Sequence, residues 1–246
     1  MHLDLLWRDL MTSPDSVENK LFFRLITGEQ HPFGNLAILL KSDDVGVVPD
    51  AVAPLLDLAS PAAVLFVHGV SEPITAHLIS LGFSQIAPLP AMAVDIASLA
   101  PTGLPAGYEF VRISSATDGT QWADVVAGGF GLPRGLARLM SPEVHEVSPA
   151  TDAGIQYFGV RRGGCLVATS MLYLANDLAG IYCVATMPEE RGKGLGAHVT
   201  AEALRAAREI GYGVGVLQSS EAGHAVYLAL GFRDFQLVPM FLRTPG

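Results

Sequence analysis

Residues 185–197 of this 246-residue chain read Ala-Thr-Met-Pro-Glu-Glu-Arg-Gly-Lys-Gly-Leu-Gly-Ala. The stretch follows an apolar, strand-like run and opens a segment with helical periodicity, Gly194–Ile210. Its glycines allow a tight turn, and the first N–H groups of the helix point outward with the positive end of the helix dipole behind them. The stretch therefore predicts an anion site suited to phosphate or pyrophosphate, to which Arg191 and Lys193 add positive charge.

This loop differs from the two best-known nucleotide motifs. It lacks the Gly-x-x-x-x-Gly-Lys-Ser/Thr form of an ATP-binding loop, and it lacks the Gly-x-Gly-x-x-Gly form of a dinucleotide site. A basic, glycine-rich turn that only joins a strand to a helix is the alternative interpretation. The position of the loop between a strand and a helix favours the phosphate site.

Two motifs together resemble the GNAT superfamily of N-acetyltransferases, and the resemblance covers residues 104–246. The phosphate loop of that family has the form Gln/Arg-x-x-Gly-x-Gly/Ala, with a proline three residues before its first position. This chain matches that form at Pro188, Arg191, Gly194 and Gly196. The second motif is a tyrosine followed shortly by Gly-Phe, and this chain matches it at Tyr227, Gly231 and Phe232.

The resemblance implies acetyl-CoA as the co-substrate, and it implies no metal. Backbone N–H groups of the loop would hold the pyrophosphate, and the preceding strand would splay open so that its backbone pairs with the pantetheine arm. One of those N–H groups would polarise the thioester carbonyl, which places a preorganised donor at a developing oxyanion. The cofactor-binding residues implied in this way are Val184, Ala185, Thr186, Arg191, Gly192, Lys193, Gly194, Leu195, Gly196 and Ser220.

The resemblance also implies a catalytic role for Tyr227, as general acid toward the departing CoA thiolate. The pKa of a phenol, about 10, is close enough to that of a thiol for the two to share a proton. A core tyrosine on an apolar helix face is the alternative interpretation. Many family members carry an asparagine where this chain has Ser220, so this serine either donates a hydrogen bond to CoA or only caps the following helix.

The general base is not singled out by the sequence. An attacking amine must lose a proton, and the polar residues that could accept it are Glu143, His145, Glu146, Asp152 and His224. The strand residue Tyr182 or a chain of waters is a further alternative.

A segment rich in proline and glycine, residues 101–107, cannot continue a helix or a central strand and marks a lobe boundary. It predicts an N-terminal domain over residues 1–100 and a catalytic domain over residues 104–246. At an offset of 149, six of the thirteen residues 71–83 are identical to their counterparts in 220–232. This indicates a diverged internal duplication. The predicted fold is α/β, with two GNAT-like lobes, each a mixed, mostly antiparallel sheet flanked by helices.

The first lobe lacks the residues of a donor site. At the same offset Tyr227 corresponds to Leu78, which carries no acid, and no Arg/Gln-x-x-Gly-x-Gly occurs between residues 30 and 64. Asp43 and Asp44 stand near the place where such a loop would lie, and carboxylates repel a phosphate. We expect this degenerate lobe to shape the acceptor pocket, to pack against the active lobe, or to mediate a homodimer.

Composition and charge exclude several classes of protein. The chain has 15 lysines and arginines and 24 aspartates and glutamates, a formal charge of −9, which argues against nucleic acid or an anionic membrane as partner. No run of about 18 uncharged apolar residues occurs, so no membrane span is expected and we predict a cytoplasmic protein. Cys165 and Cys183 are typical of reduced core cysteines.

The sequence therefore predicts an acetyl-CoA-dependent N-acetyltransferase that acts on a primary amine of a small molecule. We expect direct transfer in a ternary complex, since no cysteine stands beside a histidine in a way that suggests a covalent acetyl-enzyme. Two alternatives stay open. One is a non-catalytic acyl-CoA-binding or sensor protein in which Tyr227 is only structural, and the other is an acetyltransferase for protein N-termini or lysines.

Overall fold

The computed structural model describes residues 6–7, 9–10, 15–41, 44–113, 115–145 and 154–245. The strands are β1 (Val17–Glu18), β2 (Phe22–Ile26), β3 (Asn35–Leu39), β4 (Ala62–Phe66), β5 (Ser84–Asp95), β6 (Tyr108–Arg112), β7 (Ile155–Arg162), β8 (Cys165–Ala175), β9 (Leu178–Thr186), β10 (Val214–Gln218) and β11 (Arg233–Arg243). The helices are α1 (Val47–Leu56), α2 (Glu72–Ser80), α3 (Ala116–Phe130), α4 (Arg134–Leu139), α5 (Leu195–Glu209) and α6 (Glu221–Leu230). The predicted α/β class, a mixed sheet flanked by helices, is confirmed.

The chain divides into two compact units, and the first contains the residues up to Pro90 together with Gln236–Gly246. Its strands run in the order β1, β2, β3, β4 and β11, with β3 and β4 parallel and the other pairs antiparallel. The strands β3 and β4 are buried at every position, which is typical of strands covered on both faces. Helices α1 and α2 supply Val48, Val52 and Ile74 to the core of this unit.

The second unit contains Ala91–Phe235, and its strands run in the order β5, β10, β9, β8, β7 and β6. Only β9 and β10 are parallel. Helices α3 and α5 both pack against β8 and β9. Trp122 of α3 contacts Tyr157, whereas Phe158 belongs to the core beside α5. Because neighbouring strand residues point to opposite faces, the two helices cover opposite faces of this sheet.

The predicted duplication has the same local structure twice. In each copy a strand leads to a helix with a serine at the N-cap position, Ser71 or Ser220. Each copy then reaches a glycine with positive φ, Gly82 at 85° or Gly231 at 102°. The phenylalanines that follow these glycines are both buried, and each leads into a long strand.

Each unit contains a strand that the sequence order assigns to the other copy of the repeat. Strand β5 follows the helix of the first copy, yet its residues Ala91–Asp95 pair with β10 in the second unit. Strand β11 follows the helix of the second copy, yet Met240–Arg243 pair with β4 in the first unit. The two copies have therefore exchanged their last strands.

The proline- and glycine-rich segment 101–107 has little regular structure, as expected, but the compact units divide elsewhere. They change over at Pro90/Ala91 and again at Phe235/Gln236. The start of the segment packs within the second unit: Thr102 Oγ1 lies 3.1 Å from His198 Nδ1, and Ala100 N, just before the segment, donates to Leu230 O at 3.1 Å. The domain limits 1–100 and 104–246 stay a prediction.

No helix within the described ranges is long and apolar enough to cross a membrane.

Candidate active site

The parallel strands β9 and β10 diverge after a short paired section. Their register runs only from Val214 opposite Leu178 to Val216 opposite Gly180. Strand β9 continues to Thr186 without β10 beside it. In the described register, β10 supplies no partner to β9 beyond Gly180. The family resemblance implies a strand that splays open here, and its pairing with a pantetheine arm stays a prediction.

A β-bulge lies on this diverging part of β9. The register with β8 shifts between Thr169 and Met171, so that Cys183 and Val184 together stand opposite the single residue Ser170. Cys183 has φ of 49°, a conformation usually taken by glycine in bulges of this kind. Such bulges bend a strand and change the direction of its backbone groups, often beside functional sites.

The predicted phosphate loop connects β9 to α5 and leaves the helix start open. Gly192 and Gly194 both have φ of 77°, so each needs the conformational freedom of glycine. No side chain caps the helix at Gly194, although its carbonyl accepts the first helical bond from His198 N at 3.0 Å. The N–H groups of the first helical turn, which no helical carbonyl can satisfy, are therefore available to an anion.

The cationic side chain of Lys193 is bound by a neighbouring carboxylate. Lys193 Nζ donates to Glu190 Oε2 at 2.6 Å, and Arg162 donates to Glu190 Oε1 at 2.7 Å. The hydroxyl of Tyr108, on β6, donates to the same carboxylate at 2.5 Å. These hydrogen bonds, that of Lys193 foremost, lower the pKa of Glu190 to about 2, and the pKa of Lys193 is raised in turn. The ammonium thus fixes the shape of the loop in this structure.

The guanidinium of Arg191 ties the loop to the end of α3. It donates to Gly129 O at 2.7 Å and, less closely, to Thr186 O at 3.4 Å. The approach is tight, since a Cβ added at Gly129 would lie 2.8 Å from Ala185 Cβ. The side chain of Arg191 therefore acts as a structural link, and its backbone N–H donates to Pro188 O at 3.4 Å.

Tyr227 is a buried side chain, with 9 % of its surface exposed. Its ring packs edge-on against Phe232 at 5.7 Å between centroids and lies over Gly223, where an added Cβ would be 3.0 Å from Tyr227 Cε2. Burial raises the pKa of Tyr227 above its ordinary value. The phenol is therefore protonated at neutral pH, and its raised pKa makes it a weaker acid than an exposed phenol.

Ser220 occupies the N-cap position of α6. Its Oγ accepts a hydrogen bond from Gly223 N at 3.2 Å, as the capping alternative requires. The hydroxyl keeps its own proton for a second partner, so a contact with CoA stays a prediction.

Among the described residues, no single side chain is identified as the general base. The hydrogen bond from Arg138 lowers the pKa of Glu143, which makes this carboxylate a weak base. His145 Nε2 lies 2.8 Å from Leu139 O, and His224 Nε2 lies 2.9 Å from Asp234 Oδ1. Glu146 and Asp152 lie outside the described residues, and Tyr182 lies on β9 just before the bulge.

In the first unit, the parallel strands β3 and β4 correspond to β9 and β10, and they do not separate. Strands β3 and β4 stay paired to their last residues, Leu39 opposite Phe66, and Val67 N then donates to Leu39 O at 3.1 Å. Before α1, the Asp44 carboxylate accepts a hydrogen bond from Gly46 N at 3.0 Å. A carboxylate of the chain thus holds an amide where a phosphate loop would offer it to a ligand. Asp43 lies outside the described residues.

The described part of the chain contains no group of three or more His, Cys, Asp or Glu residues that could hold a metal ion.

Residues 135–232 match the model of the acetyltransferase (GNAT) family. This range includes the loop, the bulge and Tyr227. No curated protein matches the sequence.

Solved structures with the same fold include several acetyltransferases. A GCN5-related N-acetyltransferase from Kribbella flavida superposes with a TM-score of 0.70 at 20% identity, over 99% of this chain and 93% of that one. One from Sphaerobacter thermophilus has a TM-score of 0.65 at 14% identity, over 91% and 76%. A tandem GNAT protein from the clavulanic acid biosynthesis pathway has a TM-score of 0.56 at 15% identity, over 96% and 85%. At these identities the likeness shows the fold.

Proposed function

We propose that this protein transfers the acetyl group of acetyl-CoA to a primary amine of a small molecule, and the match of residues 135–232 to the acetyltransferase (GNAT) family supports this. One observation carries the proposal: the register of β9 with β10 ends at Gly180, and β9 then leads through a glycine-rich loop to a helix whose start has no side-chain cap. An extended, amide-containing arm fits along a free strand edge, and a pyrophosphate fits at an open helix start.

The residues of the second unit then have separate tasks. Backbone N–H groups of residues 191–196 hold the pyrophosphate. The backbone of residues 184–186 pairs with the pantetheine arm, and one of its N–H groups stabilises the negative charge that develops on the thioester oxygen. Tyr227 donates its proton to the sulfur as the carbon–sulfur bond breaks, and the amine nitrogen forms the new bond to carbon. Lys193 and Arg191 support this arrangement through the loop.

We propose direct transfer in a ternary complex. Burial raises the pKa of Cys183, the cysteine on β9, to about 12, so its thiol is a poor nucleophile at neutral pH. Cys165 is exposed at the start of β8, next to the hairpin turn that follows β7.

We further propose a single donor site per chain. The first unit has continuous pairing of β3 with β4 and its own carboxylate at the amide of Gly46, and both features oppose CoA binding there. The small-molecule amine is our proposal for the partner. Net charge of −9 favours the encounter with a cationic acceptor. A cytoplasmic location and a homodimer stay predictions.

An acceptor screen tests the proposal. Purified protein is mixed with acetyl-CoA and a panel of amines that includes polyamines, amino sugars, amino acids and lysine-containing peptides, and release of the CoA thiol is followed. We expect turnover with a small amine and one acetyl-CoA bound per chain in equilibrium titration. Binding without turnover on any amine indicates the sensor alternative. Turnover confined to peptides indicates a protein acetyltransferase, and two sites per chain contradict a degenerate first unit.

A further inference from the structure

Cys183 has an unusual backbone conformation for its place in the chain. Three non-glycine residues in the described ranges have positive φ, and two of them, Asn176 and Asp177, form the turn between β8 and β9. Asn and Asp readily adopt this conformation in turns. Cys183, with φ of 49°, instead lies within strand β9. A residue that has a Cβ adopts a positive φ within a strand only where the surrounding structure holds its backbone there.

The contact that holds Cys183 comes from Thr169 on the neighbouring strand β8. Thr169 is fully buried, and its Oγ1 donates a hydrogen bond to Cys183 O at 2.9 Å. Cys183 has no counterpart in the β8–β9 register, so a side-chain hydroxyl supplies the bond that its carbonyl accepts. On the opposite edge, pairing with β10 has already ended at Gly180, so that strand does not fix the bulge either.

We propose that Thr169 is a positioning residue of the acetyl-transfer site. By holding the carbonyl of Cys183, its hydroxyl fixes the direction in which the following backbone N–H groups, those of Val184 and Ala185, meet the thioester oxygen. The inference rests on the proposed function. Its physical basis is that an oxyanion donor is effective only when it is aimed before the reaction, and a misplacement of about 1 Å costs about 10²-fold in rate.

Thr169→Val tests the role, because valine keeps the shape of threonine and removes only the hydroxyl. The matched control is Thr200→Val on α5. Thr200 is also fully buried, but its Oγ1 has no hydrogen-bond partner, so valine removes no contact there. Thr169→Ser, which keeps the donor and loses a methyl group, is the conservative variant.

Two measurements are made on each variant. Hydrogen exchange of residues 181–186 without ligand reports the bulge itself, and we expect exchange about tenfold faster in Thr169→Val than in Thr200→Val. Single-turnover thiol release, with the best amine from the screen, reports transfer. We expect a loss of about tenfold or more in Thr169→Val, with affinity for CoA within about threefold of wild type because the phosphate loop is untouched. Thr169→Ser should keep most of the rate.

A rescue experiment distinguishes positioning from general damage to the core. Glycine adopts positive φ without a Cβ, so Cys183→Gly should keep the bulge without the threonine clamp. We expect Thr169→Val/Cys183→Gly to recover most of the rate of Cys183→Gly alone. If the wild type is active and Thr169→Val transfers acetyl groups as fast as Thr200→Val, the positioning role is overturned. It is also overturned if Thr169→Val/Cys183→Gly does not recover the transfer rate. A wild-type protein that neither binds acetyl-CoA nor transfers its acetyl group overturns the proposed function as well.

Discussion

At the scale of single residues, the phenol of Tyr227 is both buried and neutral. Replacing it with phenylalanine keeps the ring on Phe232 and Gly223 and removes the proton donor. We expect the rate of acetyl transfer to fall by about 10²-fold or more, with little change in acetyl-CoA affinity. Single-turnover thiol release measures this, and an unchanged rate would remove Tyr227 from the mechanism.

The same burial predicts how this group responds to pH. Because the pKa of Tyr227 is raised by desolvation, its hydroxyl stays protonated through the range in which an exposed phenol, with a pKa of about 10, ionises. We expect no alkaline loss of transfer from this residue up to about pH 10. A loss of transfer rate near that pH in wild type that is absent from Tyr227→Phe would contradict this.

Glu190 contributes a pH-dependent stability. Its pKa falls from an ordinary 4.5 to about 2 in the folded protein, so its stabilising effect is complete above about pH 4.5 and is lost as the pH falls toward 2. We expect Glu190→Gln to lower the melting temperature at pH 7, and the difference from wild type to shrink between pH 5 and pH 2. Glu189→Gln, the neighbouring exposed carboxylate, is the control. A constant difference across this range would contradict the ion cluster.

Residue chemistry could be predicted from the sequence only where neighbours along the chain decide it. The loop glycines were identified by local spacing, and their positive φ values agree with it. The sequence predicts that Arg191 and Lys193 add positive charge to an anion site, and in the structure Lys193 Nζ donates to Glu190 and the Arg191 guanidinium donates to Gly129 O. Glu190 lies three residues before Lys193, so that pair could have been suspected. Tyr108 and Gly129 are distant in sequence, and only folding brings them to the loop.

At the scale of elements, helix α3 approaches β9 closely because residue 129, near its end, is a glycine. A Cβ at Gly129 would meet Ala185 Cβ at 2.8 Å, whereas one at Gly128 would meet the flexible thioether of Met187 at 3.2 Å. Overpacking costs about 1–3 kcal/mol, while alanine favours a helix over glycine by about 1 kcal/mol.

This difference predicts opposite effects for two adjacent substitutions. We expect Gly129→Ala to lower the free energy of unfolding by about 1 kcal/mol or more and to weaken acetyl-CoA binding, since it displaces residues 185–186. Gly128→Ala should be neutral or slightly stabilising. Chemical denaturation and titration of both variants check this, and equal stabilities would show that α3 can shift without cost.

The elements of the second unit could be predicted well from periodicity and glycine ends, but the bulge could not. A cysteine at position 183 does not predict a positive φ, because residues with positive φ are usually glycine, asparagine or aspartate. The partners of two strands could not be predicted from the sequence either. Residues 84–95 and 233–243 each follow one copy of the repeat, and their apolar patterns do not indicate which strand each of them pairs with.

At the scale of the whole molecule, the strand exchange means that neither half of the sequence contains a complete unit. Fragment 104–246 lacks β5 for its β10, and fragment 1–100 lacks β11 for its β4. We expect neither fragment to give a cooperative melting transition alone, and we expect the two to restore one when they are expressed together. Circular dichroism melts of each fragment and of the pair test this, and cooperative folding of 104–246 alone would contradict it.

A cut in the intact protein gives a complementary result. A protease site placed within residues 101–107 leaves every strand pair in place, so we expect the cleaved protein to migrate as one species until denaturant is added. Separation of the fragments in native buffer would show that the exchanged strands contribute little to cohesion.

The late position of β11 also imposes an order in time. During synthesis β4 emerges early, but the residues that pair with it, Met240–Arg243, leave the ribosome only after the whole of the second unit. Until then one edge of a strongly apolar strand is open, which is a hazard for aggregation between nascent chains. Completion of the first unit therefore waits for synthesis of the second, and deleting residues 240–243 should destabilise the first unit more than the catalytic centre.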